Sequence, residues 1–151
     1  MSQPVPAITP ITKNPLITEA FAITQEVYAL LPELPEEEKW DTTTKLRRLG
    51  NNLLLDITLA VSNAAPSGSE YDWSSSRKDA AGLLTMCRFA DKQRFVSVDA
   101  GLLLRINELI QKIDLELQDS YQRSEAYQRY ELSLWQEKYE AWQLLHNEIT
   151  S

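Results

Sequence analysis

The sequence predicts an all-α protein, an up-down four-helix bundle with a long C-terminal helical extension. Three observations point there. The chain has only four glycines in 151 residues. Its prolines fall almost entirely before Lys39, so the breakers that punctuate β proteins are missing from most of the chain. Apolar residues recur at spacings of three and four along every long segment, the period of a helix with one buried face. A hydrophobic fraction of 43% with 25% charged residues is ordinary for a globular chain, and this length suits one domain.

Taken in order, residues 1–13 form a Pro/Thr/Ser-rich leader, expected to stay flexible because it has too little apolar surface to bury. Asn14 and Pro15 suit an N-cap and first helical position. In the first helix Leu16, Ala20, Ile23, Val27 and Leu30 form a stripe that Ile17, Phe21, Tyr28 and Leu31 widen. Pro32 ends it, and Leu34-Pro35 connects to Glu36, Glu37 and Glu38. These acids suit either a solvated charge run or the positive end of the next helix.

The second helix is expected over 42–62. Leu46, Leu49, Leu53, Ile57 and Ala60 mark one face, while Leu54, Leu55, Leu59 and Val61 make its second half apolar on nearly every side. That breadth implies more than one neighbour. Residues 63–76, rich in turn formers, read as a loop presenting Tyr71 and Trp73, with Ser75 or Ser76 capping a third helix over 77–93. In that helix Ala80, Leu84, Cys87 and Ala90 share a face, with Leu83, Met86 and Phe89 beside it. Gly82 lowers helix propensity there by about 1 kcal/mol relative to Ala, which a close helix approach explains.

Ser97 or Asp99 caps a last helix that runs towards Glu148, roughly 75 Å at 1.5 Å per residue. Leu103, Ile106, Ile110, Ile113 and Leu117 give it one apolar seam, which stops at Gln118. A second seam follows in shifted phase: Leu132, Trp135, Tyr139, Trp142 and Ile149, accompanied by Tyr127, Tyr130 and Leu145. The expected division is therefore a bundle over 14–117 and an extension over 118–151. Leu132, Trp135, Tyr139 and Trp142 are its candidate partner-docking residues, because rings of this size are costly to leave in water.

Catalytic chemistry has little to stand on. His146 is the sole histidine, and no Gly-x-Ser-x-Gly elbow accompanies it. One histidine cannot supply the paired Glu-x-x-His repeats of a bundle metal centre. Cys87 lies on an apolar helical face, where a thiol is inert, and no glycine-rich phosphate loop occurs. No enzymatic activity, cofactor or metal is expected. A single cysteine, with neither an export signal nor an apolar run of about 20 residues, fits a cytoplasmic protein that does not enter membranes.

Charge is unevenly distributed. The formal net charge is −7, yet residues 77–94 hold Arg77, Lys78, Arg88, Lys92 and Arg94 against only Asp79 and Asp91. Beyond residue 94, ten acids face five bases. This basic island is either a solvated helix face or a phosphate-contacting surface, since clustered Lys and Arg on one element are the footprint of nucleic-acid binding. Repetition around a cyclic oligomer would turn one short basic helix into a belt.

Leu34-Pro35-Glu36-Glu37-Glu38-Lys39-Trp40 followed by Leu46-Arg47-Arg48 resembles the Phe-Pro-x-x-Glu-Arg-Tyr and Ile/Leu-Arg-Arg signature of the four-helix-bundle proteins encoded in intervening sequences of bacterial large-subunit ribosomal RNA. Asn52-Leu53-Leu54-Leu55-Asp56-Ile57 and Leu83-Leu84-Thr85-Met86-Cys87-Arg88-Phe89-Ala90-Asp91 are more similar to a sister branch, the accessory variability determinant (Avd) proteins of diversity-generating retroelements. The resemblance spans Leu16 to Leu117. It implies a non-enzymatic bundle that assembles as a homopentamer and binds a reverse transcriptase and nucleic acid through basic surface. Residue by residue it reaches Arg47, Arg48 and Arg88; Arg77, Lys78, Lys92 and Arg94 join from local charge alone. The alternative is a protein–protein scaffold that uses the ring and the aromatic helix without nucleic acid.

Overall fold

The computed structural model describes residues 13–63 and 70–150, with side chains through 148. Four helices account for nearly all of it: α1 (Pro15–Leu30), α2 (Asp41–Ser62), α3 (Glu70–Lys92) and α4 (Ala100–Thr150), with a 3-10 turn at Leu31–Glu33. Each helix packs on the next, and α4 closes against α1, where Arg105 pairs with Glu26. No helix among the described residues is long and apolar enough to cross a membrane. The expected leader over 1–13 lies, apart from Lys13, outside the described residues.

α1 starts as its sequence dictates. Asn14 Oδ1 accepts the Leu16 N–H at 2.9 Å, and Pro15 fills a position whose missing N–H costs nothing. Ile17, Ala20, Ile23 and Val27 are its buried apolar residues, and Leu31 in the following turn extends them. Leu16 and Leu30 are only half-buried, and Phe21 and Tyr28 stand outside the core. The three acids after Pro35 divide their roles: Glu36 pairs with Lys39, Glu38 accepts the Thr42 hydroxyl at 2.8 Å, and Glu37 faces solvent.

α2 packs against both α1 and α3, as its broad apolar surface requires. Leu46, Leu53, Ile57 and Ala60 are buried, whereas Leu55 and Leu59 remain exposed. Two glycines set its spacing. Thr24, itself buried, donates from Oγ1 to the carbonyls of Ala20 (2.8 Å) and Gly50 (3.2 Å), which pins α1 to α2. A Cβ on Gly82 would lie 3.0 Å from Leu49 Cδ2, so α3 approaches α2 as closely as the sequence reading required.

The expected loop over 63–76 and its serine caps are corrected for the described part, 70–76. α3 begins at Glu70, so Tyr71, Ser75 and Ser76 are helical, and Trp73 is 3% exposed in the core. The reason is a stripe hidden by polarity. Trp73, Ser76, Ala80, Leu83, Cys87 and Ala90 keep helical spacing, and Ser76 donates its hydroxyl to the Asp72 carbonyl at 2.7 Å, so burying it leaves no unmet donor. Glu70 and Asp72 supply negative charge where the α3 dipole is positive. Residues 64–69 lie outside the described residues.

Asp99 caps α4: its Oδ1 accepts the Gly101 N–H and its carbonyl the Leu102 N–H. The α4 seam is rotated from the expected one. Leu102, Ile106, Leu109 and Ile113 are fully covered, and Leu103, Ile110 and Leu117 sit at the edge, because α3 and α1 flank the helix from two sides. Burial by the bundle ends at Ser120. The same unbroken helix continues with every side chain from Tyr121 to Glu148 exposed except half-buried Ser124.

Candidate functional site

The most distinctive local geometry is the corner that ends α3. Arg94 sits at φ 62, the left-handed conformation in which a helix commonly terminates. Its N–H bonds to the Asp91 carbonyl at 3.0 Å and the Phe95 N–H reaches the Ala90 carbonyl at 2.9 Å, the paired bonds of a Schellman cap. Phe95 then meets Phe89 edge to face, ring centroids 6.0 Å apart. Asp91 is spent on architecture, its Oδ1 accepting the Val98 N–H at 2.9 Å.

This leaves Arg88, Lys92 and Arg94 exposed with no ion pair among the described residues, beside a Phe89 that is 48% exposed. Guanidinium and ammonium groups next to an exposed ring match the two needs of a single-stranded nucleic-acid surface, phosphate neutralisation and a stacking platform. Arg48, also exposed and without an ion pair among the described residues, sits level with the middle of α3, since Leu49 beside it meets Gly82, and so stands apart from this corner.

The other predicted cations are deployed elsewhere. Arg77 binds Asp114 across the α3–α4 seam. Arg47 stands 5.9 Å over the Tyr28 ring, whose hydroxyl donates to Asn51. Lys78 is exposed beside Asp79. Arg77 and Lys78 are also about 15 Å or more along the helix from Arg88. The basic island is thus two separate places, and only its C-terminal half forms a patch.

No family model matches this chain. No curated protein matches it either.

The second surface is the extension. Trp135 and Tyr139 stack with centroids 5.4 Å apart and planes within 4°, Tyr139 on Trp142 at 6.2 Å, and Trp142 on His146 at 5.2 Å. Together with Leu132 these rings make a continuous apolar stripe open to solvent; Trp135 alone is 61% exposed. All four residues expected to dock a partner lie on this one face.

Sequence reasoning missed a third feature, the carboxyl pair of Asp56 on α2 and Asp79 on α3. Burial, and then the adjoining Asp56 carboxyl, raises the Asp79 acid to about 7, with Lys78 opposing. An acid inside the apolar second half of α2 was the available signal. Burial also pushes the Cys87 thiol up to about 12, so it carries no nucleophile at neutral pH. Among the described residues, no group of three or more His, Cys, Asp or Glu side chains is arranged to hold a metal ion.

Proposed function

We propose that the chain is a non-enzymatic, oligomeric accessory protein of the Avd-like kind its motifs resemble, which holds RNA for a reverse transcriptase through the corner at the end of α3. One observation carries the reading: Arg88, Lys92 and Arg94 gather around the exposed Phe89 with no ion pair among the described residues. Other cations, Arg48 and Lys138 among them, also lack an ion pair among the described residues, but Arg88, Lys92 and Arg94 are three that share one corner. Self-assembly into a ring is supported by the apolar side chains left open on α1 and α2, where Phe21, Tyr28 and Leu54 line a common depression and Leu55 and Leu59 follow along α2. Burial of such a face by other copies would bring several basic corners together.

The test is a gel-shift series with single-stranded RNA at increasing salt. The wild type binds with affinity that falls as salt rises, and Arg88→Glu with Lys92→Glu loses at least about tenfold while thermal unfolding is unchanged. Absence of salt-sensitive binding by the wild type overturns the nucleic-acid half of the proposal.

A second reading, a scaffold for other proteins without nucleic acid, is favoured by the solvent-open stripe from Leu132 to Trp142. Deleting residues 121–151 distinguishes the two. Loss of a protein partner with RNA binding intact favours the scaffold; intact partner binding with RNA lost through Arg88→Glu favours the corner.

A further inference from the structure

We infer that the α4 extension is a self-association device: two copies of the chain join through an antiparallel coiled coil over residues 121–146. The inference stands independently of RNA binding. It begins from heptad register. With Leu132 at an a position, Trp135, Tyr139, Trp142 and His146 fall at d, a, d and a, and Tyr121 falls at d immediately after Ser120, where burial by the bundle ends. That seam is the solvent-open stripe.

The bundle itself shows what covers this stripe nearer its start. α3 runs antiparallel along α4, with Arg77 on Asp114, and stops at Glu70. Where it stops there is an open, largely apolar depression of about 670 Å³, lined by Glu70, Tyr71, Leu117 and Tyr121 among others. Tyr121 continues the line of the exposed seam, and Leu117 flanks it at a g position one turn earlier. A second helix arriving antiparallel to α4 lies in line with α3, and its end reaches the depression.

Charge selects the occupant and the direction. Setting Leu132 against Trp135 of the second copy, and Trp135 against its Leu132, aligns Tyr121 with the partner's His146 and so uses the whole exposed length. The flanking g positions then match Glu131 with Lys138 of the second copy, twice by symmetry. Lys138 has no ion pair among the described residues, while Glu131 accepts the hydroxyl of Tyr127, one turn back on its own helix. Glu125 and Gln128 come opposite Trp142 and Tyr139, whose N–H and O–H supply donors. Sliding by one heptad places Lys138 against Lys138, and a parallel pair places Glu125 against Glu125, so both alternatives are penalised. Three rings and a leucine from each copy bury on the order of 1,000 Å² in total, the size at which specific interfaces begin.

The experiment measures the mass of the full-length protein by sedimentation equilibrium, with thermal unfolding as the control for folding. Trp135→Glu, at an exposed position, halves the mass and leaves the unfolding temperature of the bundle unchanged. Glu131→Lys and Lys138→Glu each weaken association about tenfold, since two attractive pairs become repulsive. Mixing these two variants in equal amounts restores association, because each then meets the opposite charge at both sites. Equal masses for the wild type and Trp135→Glu overturn the inference, and so does a mixture no more associated than either variant alone.

Discussion

Asp56 and Asp79 face each other across the α2–α3 interface, and one of the two carboxyls holds its proton near neutrality. The raised acid is Asp79, through burial first and the neighbouring Asp56 second. The sign follows directly. A carboxyl whose folded-state pKa is raised binds its proton more tightly folded than unfolded, so its stabilising effect is full below about 4 and is lost as pH climbs through about 7. Above that, two half-buried negative charges repel. Asp79→Asn is therefore expected to raise the unfolding temperature at pH 8, to change it little at pH 4, and to flatten the profile between them. Calorimetry over pH 4–8 checks this; a parallel downward shift at every pH contradicts it.

Arg94 occupies left-handed backbone that glycine adopts without steric cost. Arg94→Gly is expected to stabilise the fold by about 0.5–1 kcal/mol, offset in part by the greater freedom of glycine in the unfolded chain. The same substitution lowers the slope of log affinity against log salt for RNA by about one if Arg94 contacts a phosphate. Chemical denaturation and a binding titration separate the two effects.

Trp73 anchors the first turns of α3 in the core. Trp73→Ala is expected to destabilise by about 3–5 kcal/mol, whereas Trp40→Ala, on a ring that is 88% exposed, costs little. Denaturant titration of the two variants gives the contrast. Equal costs would contradict the early start of α3.

Cys87 is buried, and its thiol is pushed to about 12. Reaction with a disulfide reagent at pH 8 is expected to be more than about a hundredfold slower in the folded protein than in denaturant, since the thiolate fraction and access both fall. The rate of thiol release reports it.

Fold class and helix number were legible because breakers are concentrated at one end and every core stripe keeps helical spacing. The N-terminal half of α3 was not. Ser74, Ser75 and Ser76 look like a turn, yet Ser76 returns its hydroxyl to the chain one turn back, and Trp73 supplies apolar surface that composition hides. The basic patch was legible as charge but not as place. Asp114, which claims Arg77, lies 37 residues away in sequence, and the Tyr28 ring under Arg47 belongs to another helix. The acid pair was invisible for the same reason: α2 and α3 each contribute one carboxyl, and only packing brings them together.

The unbroken α4 has a mechanical consequence. From Ala100 to Thr150 a single ladder of backbone hydrogen bonds joins the packed segment to the free one, with no glycine or proline past Gly101 to serve as a joint. Whatever grips the tip is therefore held about 40 Å beyond Ser120, at a fixed azimuth to the basic corner. The helix behaves as a ruler and a lever, and a proline placed at Gln128 would spoil both distance and angle while leaving each end chemically intact.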